Sequence, residues 1–457
     1  MPRRRNEKLR ALLAEARWTQ SSLARSVNAL AAEIGLNLTY DRTAVAHWLS
    51  GTQPVPPVPA LVAEAFARRL GRPLPPGATG FDVSRASGAD GVAGRATERN
   101  RRVESVLAEL CGEENDPARR AFARLRPYRE ADLADVRRAA PRSLPLETAA
   151  RRGTDEGDLA VVRLAVRFYA ASFDAHGGRR GRSSLAAHLA DDIVPLLREA
   201  REETVRRSLF VETSRLSFLL ARMQQDASAH GLAQLHFTTA LRLAAESRDR
   251  TAWAVVLRGM SSQALTLGHR RAALHAAEAA LGDGRGGLDG AAGAFLLSQL
   301  AVAQAACGAR RAALDSLGRA ERASASPASH SDAAGPFTAY SPAALAYQSA
   351  EVFRYLGGLP AARKSLDRSL ARRPAEDHRG IALSHARRAE ILVGSGHVEE
   401  ACASWQLFLD HCAVLRSGTA DNAVSRMQQL LAPFSRVPAA AAVLDRVRTS
   451  EALRRTL

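Results

Sequence analysis

Residues 18–54 read WTQSSLARSVNALAAEIGLNLTYDRTAVAHWLSGTQP. Two apolar-periodic segments lie in this stretch, each opened by a helix-capping residue and closed by a glycine. Thr19 is placed to cap the first, in which Leu23, Val27, Leu30 and Ile34 recur at helical spacing until Gly35. Asp41 opens the second, which stops at Gly51 with Pro54 just beyond. On a wheel of about 100° per residue, Ala44, Val45, Trp48 and Leu49 fall on one side. Arg42, Thr43, Ala46, His47 and Ser50 fall on the other. The first face can anchor in a small core. The second offers short or polar groups that suit a DNA major groove.

The pattern Thr19-Gln20-x-x-Leu23-Ala24, then Thr43-x-Val45-x-x-Trp48-x-x-Gly51-x-x-Pro54, resembles the helix-turn-helix of phage-repressor-type (XRE) regulators. The resemblance implies that Gln20 touches a phosphate and that Arg42, Thr43 and His47 read bases. Ala46 permits close approach or contact with a thymine methyl. Arg42 also reads as a solvated first-turn residue, but a cation at a helix N-terminus is mildly unfavourable, which slightly favours a functional reason for it, such as a guanine or phosphate contact. The link around Glu33–Tyr40 is longer than in the compact phage proteins, so the docking angle is left open. Ahead of the motif, Arg3, Arg4 and Arg5 form a basic arm. It suits phosphate or minor-groove contact, or a solvated tail.

A chain of 457 residues is long enough for more than one domain. Its net charge of +17 favours nucleic-acid partners, but Lys occurs only at Lys8 and Lys364. An arginine excess beside so much alanine and glycine also follows from biased base composition in the encoding DNA. The cysteines Cys111, Cys307, Cys402 and Cys412 form no CxxC pair and no zinc-ligand spacing, and read as reduced thiols. No apolar run reaches the ~18 residues of a membrane span, and no signal peptide is visible. The expected location is the cytoplasm, with no membrane partner.

A helix-turn-helix bundle is expected over residues 1–75 and a Gly/Ala/Ser-rich flexible linker over 76–100. A charged helical connector follows over 101–155, and helical repeats over 156–455. The repeats show in Ala233, Ala273, Ala313, Ala362 and Ala401, separated by 40, 40, 49 and 39 residues. Twelve residues before each stand Ala221, Ser261, Ala301, Ala350 and Ala389. Four after stand Phe237, Ala277, Leu317, Leu366 and Trp405. Small residues at two fixed points let antiparallel helices approach closely, and larger ones fill the gap to the next pair. This resembles the tetratricopeptide repeat, with a period longer than that family's 34 residues. The expected fold is all-α: an N-terminal helix-turn-helix bundle and a C-terminal tetratricopeptide-like α-solenoid. The alternative is a generic alanine-rich helical bundle.

In the resembled family the first helix of each pair lines a concave face. Carried over, the lining positions include Phe218, Arg222 and Gln225, then Arg258 and Ser262, then Tyr347, Glu351 and Arg354. Two arginines beside an aromatic ring suit an acidic peptide or a carboxylate end. The other reading is that Arg222 and Arg258 pair with acids on neighbouring helices. No Walker A lysine, HExxH or GxSxG is present, and no acid, base and nucleophile converge. No catalytic residue, cofactor or metal ligand is expected.

The order of modules resembles actinomycete regulators of sporulation and antibiotic production. The expected function is transcriptional regulation through double-stranded DNA. The repeats would serve homodimerisation or take an effector, whether a peptide, a small acid or a partner protein. A looser resemblance, to peptide-pheromone receptors, is weakened because no Asn occurs between Asn115 and Asn422. The competing reading is an interaction scaffold whose N-terminal bundle docks protein rather than DNA.

Overall fold

The computed structural model describes residues 5–82, 101–130, 132–133, 156–200, 202–282, 290–325 and 340–456. Among the described residues every regular element is a helix and none is a strand. None of these helices is long and apolar enough to cross a membrane. The chain divides into two compact units. The first comprises Met1–Val166 with Arg182–Gly282, and the second Arg167–Gly181 with Asp283–Leu457. The stretch expected as a single repeat domain is thus shared between them.

The first unit opens with a module of four α-helices. They are α1 (Glu7–Ala16), α2 (Gln20–Glu33), α3 (Arg42–Leu49) and α4 (Val58–Leu70). Their starts are chemically explicit. The side chains of Asn6, Thr19 and Asp41 accept from the amides of Leu9, Ser22 and Ala44 at 3.0, 3.1 and 3.0 Å. Leu9, Leu23, Val27, Val45, Trp48, Leu61 and Phe66 meet in one core. The core does not stop at residue 75. Leu74 and Phe81 belong to it, Phe81 lies edge-on to Trp48 at 6.1 Å, and Asn6 donates to the Thr79 carbonyl at 3.0 Å. The part of the expected linker beyond Asp82 lies outside the described residues.

Downstream, α5 (Val103–Asn115) and α6 (Pro117–Arg124) pack against the first repeat pair, so the expected connector is part of the first unit. Within it, Glu114 is buried beside His236 and Gln224. After α7 (Glu156–His176) come α8 (Arg182–His188), a π turn at Leu189–Ile193 and α9 (Val194–Glu199). The wider turn precedes Pro195, whose ring would crowd an ordinary α-helical carbonyl. Two antiparallel pairs complete the unit. They are α10 (Glu203–Asp226) with α11 (His230–Ser247), and α12 (Arg250–Thr266) with α13 (Arg270–Leu281).

The second unit holds α14 (Gly290–Ala306) with α15 (Arg310–Ala325), α16 (Pro342–Tyr355) with α17 (Leu359–Leu370), and α18 (His378–Gly394) with α19 (Val398–Cys412). It ends in α20 (Gly418–Leu431) and α21 (Pro438–Thr456). A core of Trp405, Phe408, Met427, Leu431 and Val443 holds these last helices on α18 and α19.

All five marker alanines, their partners twelve residues earlier and the fillers four residues later are buried. Five residues before each marker stands Ser228, Gly268, Gly308, Gly357 or Gly396, at φ of 66°, 88°, 82°, 79° and 84°. The amide that follows each of them bonds back five residues, to the carbonyls of Gln224, Ala264, Gln304, Phe353 and Leu392. Each pair therefore turns through the same left-handed helix stop. Only the first pair places a side chain there.

Candidate functional site

An exposed polar face of the N-terminal module lies on α3. Arg42, Thr43, Ala46 and His47 are exposed, while Val45 and Trp48 are buried, so exposure follows the wheel drawn from the sequence. Tyr40 stands edge-on to Trp48 at 5.0 Å and clamps the helix from its N-terminal side. The Asp41 carboxyl is held below its usual range, chiefly by the hydrogen bond from the Ala44 amide. Gln20 is half-buried at the first turn of α2, and Arg5 is exposed beside the Asn6 cap. Arg3 and Arg4 lie outside the described residues. No side chain ion-pairs with Arg42 among the described residues.

The link between α2 and α3 is built rather than loose. Gly35 ends α2 at φ 79°, with the Leu36 amide bonding back to Ala31 at 2.9 Å. The chain then runs extended, with Leu36, Leu38 and Tyr40 turned to the core and Asn37 and Thr39 to solvent. Asn28 fixes its end by donating to the Tyr40 carbonyl at 2.8 Å and accepting from the Tyr40 amide at 3.0 Å. Five residues alternating in and out carry the signal in the sequence.

The positions carried over to the repeats separate into different environments. Phe218 is fully buried, 5.7 Å from the Phe237 ring and against Gly259, so it is core and not an open lining residue. A Cβ on Gly259 would stand 2.6 Å from the Phe218 ring, which explains how closely α12 approaches. Arg258 is buried, Arg222, Gln225 and Ser262 are half-buried, and the Arg222 guanidinium lies 6.0 Å from the Phe218 ring centre. In the second unit, Glu351 receives Arg354 at 2.7 Å and Arg387 of α18 at 2.7 Å. Arg387 also meets Glu390. Burial would raise the Glu351 carboxyl, but Arg387 and Arg354 hold it below its ordinary range. Burial raises the neighbouring Tyr347 phenol. These groups are engaged with one another as a strut between α16 and α18.

A buried ionic cluster was not anticipated. Glu64 on α4 is 4% exposed and lies 2.6 Å from His269 Nε2, at the turn of the second repeat pair. Glu130 approaches His269 Nδ1 at 3.2 Å, and the Tyr128 ring lies 5.3 Å from the imidazole. Arg68 bonds Glu64 at 2.9 Å and both oxygens of Glu33 at 2.7 and 2.8 Å. Burial alone would pull the His269 ring down, but Glu130 and Glu64 lift it to about 9. Among the described residues no group of three or more His, Cys, Asp or Glu is arranged to hold a metal ion. The cysteines are free thiols, with Cys307 exposed and the others buried.

A family model described as the SP15 N-terminal domain matches residues 9–82, the span of the N-terminal core. No curated protein matches the chain.

Proposed function

We propose that the protein is a sequence-specific transcriptional regulator that reads duplex DNA with α3. The observation that carries this reading is the solvent-facing set Arg42, Thr43, Ala46 and His47 on a short helix anchored from behind by Val45 and Trp48. An arginine, a hydroxyl, a methyl and an imidazole on one face match the donors, acceptors and thymine methyls of a major groove. Gln20 at the start of α2 and Arg5 beside α1 suit phosphates on either side. In this reading α2 and α3 form a helix-turn-helix whose link is the packed extended segment 36–40.

The helix pairs are read as tetratricopeptide-like, on the strength of the buried marker positions and the repeated turn. Their proposed roles are homodimerisation, which doubles a short reading surface, and engagement of an effector or partner. Half-buried Arg222, Gln225 and Ser262 are the carried-over positions assigned to that role in this reading. The protein is proposed to act in the cytoplasm without catalysing a reaction. The actinomycete resemblance points to control of development or secondary metabolism.

Selection of duplexes from a random pool by the full chain tests the reading. A recovered motif is expected, with affinity falling in salt at a log–log slope of about −0.9 per phosphate contacted. Arg42→Ala should relax preference at one base position, by about 1–3 kcal/mol if the contact is bidentate. Gln20→Ala should weaken all sequences alike. No binding by a folded chain at low salt would leave the scaffold reading. Sedimentation of a monomer at micromolar concentration, with and without DNA, would remove the dimer.

A further inference from the structure

A row of alternating charges crosses the first unit from the repeat turns to the end of α2. In order it runs Glu130, His269, Glu64, Arg68, Glu33. The contacts are 3.2 and 2.6 Å at the imidazole, 2.9 Å from Arg68 to Glu64, and 2.7 and 2.8 Å from Arg68 to Glu33. His269 Nε2 is hydrogen-bonded to Glu64, and Nδ1 stands 3.2 Å from Glu130 as an ion pair without hydrogen-bond geometry, so a carboxylate faces each nitrogen and the pair favours the imidazolium, which carries N–H on both. His230, at the turn of the first pair, lies near the same charges and is held neutral, its pKa lowered to about 4 mainly by burial.

An internal comparison shows that the setting is particular to this turn. His397 follows the turn glycine of the fifth pair just as His269 follows that of the second. The His397 side chain is 54% exposed, with Glu400 at 3.9 Å, whereas that of His269 is fully buried. What differs is the cover. Helix α4 supplies Glu64, and the segment 126–130 crosses the turns, with Gln234 bonding the Arg129 amide at 2.9 Å and its carbonyl at 2.7 Å.

We propose that this row is a latch that locks the N-terminal module onto the turn edge of the first two helix pairs and couples the state of those pairs to the placement of α3. Glu130, His269 and Glu64 are buried while Arg68 and Glu33 are partly exposed, so removing one of the buried three leaves the others buried without compensation and favours release of the contact. Loss of the His269 proton removes one of its two N–H donors. A ligand or partner that shifts the turn between α12 and α13 withdraws both. Glu33, the last member, closes α2 at the point where the link to α3 begins. The exposed face of α3 is not covered in the latched state, so the latch sets its orientation rather than hiding it. The regulatory consequence rests on the DNA-reading proposal; the latch itself does not.

Hydrogen exchange on the full-length chain provides the test, with Glu64→Gln, His269→Gln and the double variant. Each single change should speed exchange about tenfold or more both in α4 and in the turn at 264–273, with α18 and α19 unchanged. The double variant should go no further than either single one. Acceleration confined to the substituted element, or single effects that simply multiply in the double variant, would overturn the latch. Should a variant fail to fold, the native chain still answers through NMR titration of its histidine rings. A His269 ring titrating above pH 8 is expected, and one titrating near 6.5 overturns it. These readouts contain no DNA. A latch that behaves as described beside absent DNA binding would retire the functional reading alone.

Discussion

Gly231 offers a substitution whose sign separates local propensity from tertiary structure. It is the second residue of α11, where alanine is favoured over glycine by up to about 1 kcal/mol. The segment 126–130 lies directly over it. A Cβ at this position would stand 2.1 Å from the Arg126 carbonyl oxygen, 2.7 Å from its carbon and 2.8 Å from the Pro127 oxygen. These are backbone atoms, so the crossing segment itself must move. Overpacking costs about 1–3 kcal/mol. Displacement also strains the two Gln234–Arg129 hydrogen bonds, each contributing about 1 kcal/mol. Against the propensity gain, Gly231→Ala should destabilise the first unit by about 2–4 kcal/mol. Gly112→Ala is the control, because it lies within α5 and a Cβ there meets nothing within 4 Å. It should stabilise by about 0.5–1 kcal/mol. Urea unfolding followed by hydrogen exchange at residues 126–130 and in α11 reads both variants. A stabilised Gly231→Ala protein would refute the crossing.

Ser228→Gly should stabilise the first pair by about 1 kcal/mol, since serine there adopts the left-handed conformation that the other turns give to glycine; an unchanged urea midpoint would count against it. The ring of His269 is raised in the folded state, so its contribution is fully present below pH 6.5 and is lost as pH rises through about 9. Urea midpoints of the first unit should therefore fall between pH 6.5 and 8.5, before free thiols ionise in the unfolded chain, and a rising midpoint would contradict this. Arg387→Met should cost the second unit about 1.5–3 kcal/mol by removing one of the two arginines that hold Glu351, while melting of the first unit is unchanged.

The exposed polar face of α3 and the repeat register were legible because both depend on local periodicity. Helix α3 needs only the spacing of Val45 and Trp48 and the Asp41 cap, and each pair needs only small residues at two fixed offsets. The boundary at residue 75 was misplaced because Pro75–Glu98 has the composition of a linker. Phe81, by finding Trp48 across the fold, and Thr79, bonded by Asn6, show where the core closes. Phe218 was carried over as a lining residue because spacing along α10 cannot register Gly259 on α12, which admits the ring into the core. The ionic row was invisible for the same reason. Its members come from α2, α4, the segment 126–130 and the second repeat turn, and no pattern in the chain joins Glu64 to a histidine 205 residues away.

That separation has a consequence during synthesis. At about 5–20 residues per second, Glu64 is made about 10–40 s before His269. Among the described residues the hydrophobic core around α4 takes none beyond Phe81, so the nascent module has that core long before the second repeat is made. During that interval Glu64 is a carboxylate facing water, with Arg68 as its near neighbour. Docking is thus a late event in the life of each new molecule, and a truncated transcript ending before residue 269 would yield a module never fixed by the histidine.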